Sequence, residues 1–174
     1  MQIEYHVVGD IFVRRFRTEA PRYILLISHG IGAHSGIYNK FGEFQGKRGV
    51  EVWAYDAPGH GQSTNTRPRG QFEFAEWVDA CVAVAEYARD LTGLKVISVG
   101  SSLGVAAAYS ALHADAVSGA VLMGSAVVPG GTVMAKDHPW RSPDVVKVAK
   151  ALGHTLRFDI GTAIDFEKNY GFPG

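Results

Sequence analysis

The residues most able to do chemistry lie together in Gly100-Ser101-Ser102-Leu103-Gly104, directly after the apolar run Leu94 to Val99. A serine with glycine two positions away on either side has the G-x-S-x-G pattern of a nucleophile elbow. Such a serine sits on a sharp strand-to-helix turn in a strained backbone conformation, and side chains at the two flanking positions would collide across the turn. Centring the turn on Ser101 would put Val99 and Leu103 at those crowded positions, so Ser102 is the predicted nucleophile, with Gly100 and Gly104 as the elbow glycines. The chemistry expected of it is attack on a carbonyl carbon.

Attack creates an oxyanion that needs preorganised N–H donors; losing one typically costs ~2.7–4 kcal/mol in barrier. Leu103 follows the serine at a helix N-terminus, where the backbone N–H is free and the helix dipole favours negative charge. The second donor is expected from Ile31, in the glycine-rich loop His29-Gly30-Ile31-Gly32-Ala33-His34. Gly30 lets that loop come close to a substrate. His29, Gly30, His34 and Ser101 are expected around the pocket. His29 has two readings, general base or a brace that holds the loop through backbone hydrogen bonds, and bracing is the one preferred. His60 is read in the same way, and Asp56, at a strand end, has two readings, a catalytic carboxylate or the anchor of a turn beside Pro58-Gly59-His60-Gly61, of which the anchor is preferred. Cys81 falls on the apolar face of a helical pattern and reads as a small core residue. No histidine spacing matches a zinc pattern, and no cofactor is expected.

These loops need strands and helices to hold them. Ile3 to Val8 and Ile11 to Phe16, joined by Gly9-Asp10, predict an antiparallel hairpin. Tyr23 to Ser28, Val50 to Tyr55, Leu94 to Val99 and Ala116 to Met123 are apolar runs suited to buried parallel strands. Between them, Tyr38 to Arg48, about Phe72 to Leu91, and Val105 to Leu112 read as helices. The alternation predicts an α/β fold: a mostly parallel sheet with an antiparallel N-terminal hairpin and helices on both faces. In such sheets reactive groups collect at the carboxyl ends of the strands, where all three loops emerge. Residues 1–128 read as core. From Pro129-Gly130-Gly131 the repeat stops, and 129–174 reads as an insertion over the sheet, with a helix near 143–152 and an irregular end.

The 174 residues fit one domain with a substantial core. With 17 basic and 17 acidic residues there is no basic stripe, which argues against a nucleic-acid partner. One cysteine excludes an internal disulfide. The start lacks a basic and apolar leader pattern, and no apolar stretch is long enough to span a bilayer, so a cytoplasmic location is expected.

Three ordered motifs, His29-Gly30-x-Gly-x-His34-Ser35-Gly36-x-Tyr38, Asp56-x-x-Gly59-His60-Gly61-Gln62-Ser63 and Gly100-x-Ser102-x-Gly104, resemble the monoglyceride lipase and lysophospholipase branch of the α/β-hydrolase superfamily. The resemblance runs from about residue 20 to 125. It implies an α/β-hydrolase fold, Ser102 as nucleophile, Ile31 and Leu103 as oxyanion donors, a cap or lid starting at Pro129, and hydrolysis of a carboxylic ester through an acyl-serine. The chain departs from the branch at Ala33, Ile37 and Ser101, where Glu, Arg and His are usual. An ester with an apolar part is therefore expected rather than a monoglyceride.

The superfamily's order of Ser, acid and His would place the last two after the cap. Here the later histidines are His113, His138 and His154. The first lies about 15 Å along its helix from the elbow, and the other two fall in the expected cap, as do Asp137, Asp144, Asp159 and Asp165. The expectation is an N-terminal portion of a serine ester hydrolase, ending inside the cap and completed by a C-terminal polypeptide that carries the acid and the His. A non-catalytic binding protein of the same fold, or a thioesterase or acyltransferase using the same serine, are the alternatives.

Overall fold

The chain reverses at Gly9-Asp10 between β1 (Gln2–Val8) and β2 (Ile11–Arg17), which pair antiparallel with Tyr5 opposite Arg14 and Val8 opposite Ile11. Gly9 takes φ +64°, the left-handed conformation that the tight turn requires. The computed structural model describes residues 2–63, 68–124 and 157–159. In it β2 pairs antiparallel with β4 (Glu51–Tyr55), after which β3 (Ile24–Ser28), β6 (Val96–Ser101) and β7 (Gly119–Met123) run parallel. The order β1-β2-β4-β3-β6-β7 makes β3, flanked by β4 and β6, a central strand. Its carboxyl end, and that of β6, carry the candidate chemistry.

Among the described residues three α-helices cover the sheet: α1 (Asn39–Gly46), α2 (Phe74–Thr92) and α3 (Gly104–His113). Alternation along β4 sorts them. Trp53 and Tyr55 point into a core with Trp77, Cys81 and Val84 of α2 and Ala107 and Ala111 of α3, whereas Val52 and Ala54 join Phe16, Tyr38 and Phe41 beside α1. Gly42 permits that second contact, because a Cβ there would overlap the Phe16 ring. Trp53 and Trp77 are fully buried. A Trp removes about 150–250 Å² from water, on the order of 4–6 kcal/mol before entropy is charged against it. The small residues of α3 let it lie close to β6 and β7. Among the described residues no helix is long and apolar enough to cross a membrane.

Glu51 is fully buried yet satisfied. Arg15 Nε donates to its Oε1 at 2.9 Å and Trp53 Nε1 donates to the same oxygen at 2.7 Å. Arg15 Nη1 also reaches Glu4 at 3.0 Å, so the charge pair is extended to the sheet edge. Removing one partner of such a pair is what makes buried charge costly.

Two short strands differ from the sequence expectation. Gln71–Glu73 is β5, so α2 begins at Phe74 rather than about Phe72, and β5 pairs antiparallel with β8 (Arg157–Asp159). Three residues are too few to display a period, and the partner is remote in sequence. A capping box between Glu73 and Glu76 fixes the start of α2, and Gly93 at φ +70° ends it. The expected cap start at Pro129, the helix near 143–152 and the irregular end lie outside the described residues.

Candidate active site

The backbone at the end of β6 turns sharply. Ser102 has φ +54°, one of the few non-glycine residues in the left-handed region, and its side chain is exposed. That conformation costs a residue with a Cβ roughly 1–2 kcal/mol. Two hydrogen bonds hold it: Ser102 N–H donates to Met123 O of β7 at 3.0 Å, and Val105 N–H donates to Ser102 O at 3.1 Å. The flanking glycines have separate steric reasons. A Cβ on Gly100 would overlap Gly104 O and lie 2.7 Å from Val105 Cα. A Cβ on Gly104 would overlap Ser28 O and lie 2.6 Å from His29 O, so α3 starts hard against the end of β3.

The loop after β3 closes on the same point. A Cβ at Gly30 would lie 2.9 Å from Ser102 Cβ and 3.5 Å from Ser102 Oγ. Ile31 is the next residue, and Leu103 is the N-cap of α3 with φ −60°. Among the described residues no acceptor is hydrogen-bonded to either N–H. Both belong to the backbone immediately beside Gly30 and Ser102.

The histidines of this region serve the loops. His29 is fully buried; its Nδ1–H donates to Gly30 O at 2.7 Å, and its Nε2 accepts from Ala57 N–H at 3.0 Å. With Nε2 accepting, the proton sits on Nδ1 and the ring is neutral. Burial, followed by the neighbouring His60, lowers its pKa to about 3. His60 repeats the arrangement, donating from Nδ1 to Pro58 O at 2.9 Å and accepting Gly32 N–H on Nε2 at 3.1 Å. Burial likewise lowers its pKa. Its ring packs on Trp77 with centroids 5.0 Å apart. Bracing therefore accounts for both nitrogens of His29 and of His60.

Asp56, at the end of β4, anchors two loops at once. Its Oδ1 accepts Ser35 N–H at 2.5 Å and its Oδ2 accepts Gln62 N–H at 2.7 Å. His34 Nδ1 accepts Gly36 N–H at 3.1 Å and caps the short turn Ser35–Tyr38. The structure thus brings together Gly30, Ser101 and Ser102, with Ile31 and Leu103 adjoining, and sets His29 behind the loop. His113 ends α3, away from the elbow. His138 and His154 lie outside the described residues, as do Asp137, Asp144 and Asp165; of Asp159 only the strand pairing with Gln71 is described.

Sequence reasoning missed the second layer. Ser28 Oγ and Tyr55 Oη hydrogen-bond at 2.6 Å, and Ser63 Oγ accepts Phe12 N–H at 2.8 Å while donating to Asp56 O at 2.6 Å. Ser63 stood in the quoted motif, but its role emerges only where its loop meets β2 and the end of β4. Cys81 is fully buried, with Sγ 3.6 Å from Ser98 Oγ, and burial raises its thiol pKa. It is a core residue.

The Hydrolase_4 family, described as serine aminopeptidase, S33, matches residues 19–164. The chain belongs to this family. Within it, a monoacylglycerol lipase from Mycolicibacterium smegmatis is 35% identical over 137 residues, covering 76% of the chain and 45% of that lipase. Human monoglyceride lipase is 34% identical over 100 residues, covering 56% of the chain and 33% of that protein. The crystal structure of Paleococcus ferrophilus monoacylglycerol lipase superimposes with a TM-score of 0.59 at 28% identity, over 88% of the chain and 51% of that structure. The fold is that of the α/β hydrolases, and the resemblance to monoglyceride-lipase-like serine hydrolases holds. The chain spans about half, or less, of the length of these relatives.

Proposed function

We propose that this chain supplies the nucleophile and oxyanion donors of a serine ester hydrolase. Ser102 Oγ attacks the ester carbonyl, and the Ile31 and Leu103 N–H groups receive the charge on the carbonyl oxygen. The serine proton passes to a base and from it to the departing alcohol oxygen. Water then hydrolyses the acyl-serine and restores the hydroxyl. The observation that carries this reading is the left-handed Ser102, held at a cost in backbone strain with its side chain exposed and Gly30 pressed against it.

Residues 1–128 serve as the N-terminal part of the hydrolase core and 129–174 as the start of a cap. The acid and the His come from a complementing C-terminal polypeptide. Two observations support that requirement: the described histidines nearest the elbow are engaged by backbone groups, and Val121, Leu122 and Met123 of β7 are exposed at the sheet edge. Ala33 and the exposed Ile37 suit an ester with an apolar part. The relatives' names point to acylglycerols as the first esters to try.

The test is covalent labelling with a fluorophosphonate, on the chain alone and together with any polypeptide that co-purifies with it. Labelling lost in Ser102→Ala but kept in Ser101→Ala is expected. Labelling of neither preparation would leave a non-catalytic binding protein as the better account, and efficient ester turnover by the chain alone would remove the need for a complement.

A further inference from the structure

Residues 32–34 of the loop after β3 help line a concave site. It is a cavity of about 250 Å³ whose side-chain lining includes Arg14, His34, Asp56, His60, Gln62 and Arg69, and does not include Ser102. Two arginines and one acidic residue, Asp56, line it. That carboxylate, Asp56, already accepts the Ser35 and Gln62 amides, so its oxygens are turned toward the loop backbone. Among the described residues neither Arg14 nor Arg69 has an ion-pair partner.

Arg14 is the less easily explained of the two. Its guanidinium lies over the rings of Tyr5 and Phe12, 5.2 Å and 5.9 Å from their centroids, and its Nη1 donates to Tyr5 Oη at 3.3 Å. Its Nε is buried and has no hydrogen-bond partner. A buried N–H on a cation left without an acceptor is costly, so the rest of the guanidinium carries the residue's capacity for a charged partner. His34 feels the convergence independently: burial is the largest influence lowering its pKa, Asp56 opposes it, and Arg14 and Arg69 add to the lowering. Both arginines line the same cavity as His34.

We propose that this cavity binds the oxyanion group of a small molecule, a carboxylate or a phosphate, between Arg14 and Arg69. Guanidinium groups suit such ligands because their planar donors match paired oxygens at charge-assisted hydrogen-bond distance. The site is separate from Ser102, so occupancy does not depend on ester chemistry.

Isothermal titration of the 174-residue chain with inorganic phosphate, and separately with acetate, at constant ionic strength, tests the assignment. One saturable site for at least one of the two anions is expected, and the tighter of them identifies the ligand group. Arg69→Gln, at an exposed position, is expected to weaken binding about tenfold or more. Arg14→Gln should do the same, with a thermal melt confirming that it folds. Ser102→Ala should bind as the parent chain does, which separates this site from the proposed ester chemistry. Absence of saturable binding for both anions up to about 10 mM, or unaltered binding in Arg69→Gln, would overturn the proposal.

Discussion

His29 Nε2 accepts the Ala57 N–H at 3.0 Å, joining the loop after β3 to the loop after β4 through a neutral, fully buried imidazole. Its pKa of about 3 in the fold, against an ordinary 6.5, has a direct consequence for acid stability. Below pH 6.5 the unfolded chain takes up a proton that the folded ring refuses, so stability is full above that pH and falls as pH drops toward 3. The loss from this residue is on the order of 4–5 kcal/mol by pH 3. Urea titrations at pH 7, 5.5 and 4.5 should show a declining midpoint, and His29→Gln should flatten the decline while lowering stability at pH 7. A midpoint independent of pH across this range would contradict a neutral His29.

Gly104 tests the seating of α3. Ala at this position would drive its methyl into the carbonyls of Ser28 and His29, with an expected loss of about 1–3 kcal/mol or more for overpacking. Gly119, in β7, has open space where a Cβ would stand, so Gly119→Ala should be neutral or slightly stabilising. The pair measured by chemical denaturation isolates steric closeness from the general effect of adding a methyl.

At Ser102 stability and reactivity are expected to oppose each other. Ser102→Gly relieves the left-handed strain and should stabilise the fold by about 1 kcal/mol relative to Ser102→Ala, which keeps the strain. Both should abolish fluorophosphonate labelling. Equal stabilities for the two variants would mean that the turn is not strained.

Arg15→Leu leaves Glu51 buried with Trp53 Nε1 as its remaining close donor. A loss of about 3–5 kcal/mol is expected. Arg17 pairs with the same Glu4 at the surface, at 3.0 Å with its own side chain 55% exposed, so Arg17→Leu should cost under about 1 kcal/mol. Thermal melts of the two variants give the comparison directly.

The core was readable because its strands are dense in apolar residues and its helices in small ones. Ile24–Ser28 falls inside the expected Tyr23 to Ser28 run, and Gly104–His113 spans the expected Val105 to Leu112 helix. The elbow could be centred by asking which serine leaves glycine at both crowded positions. What stayed hidden was built from distant pieces. The β5–β8 pairing joins residues remote in sequence, and the Arg14 cavity draws on β2 and two later loops. Arg14 carried one faint signal, a charge two residues from Phe12 on the same face of a strand whose neighbours are largely apolar.

The overlap that a Cβ on Gly104 would make with Ser28 O and His29 O means that the elbow and the loop after β3 cannot be tuned separately. A side chain at Gly104 would have to displace either the start of α3 or the end of β3. Diversification of what this scaffold accepts is thereby pushed away from its two innermost turns and toward positions such as Ala33 and Ile37, which can change size or polarity without disturbing the register between serine and backbone donors.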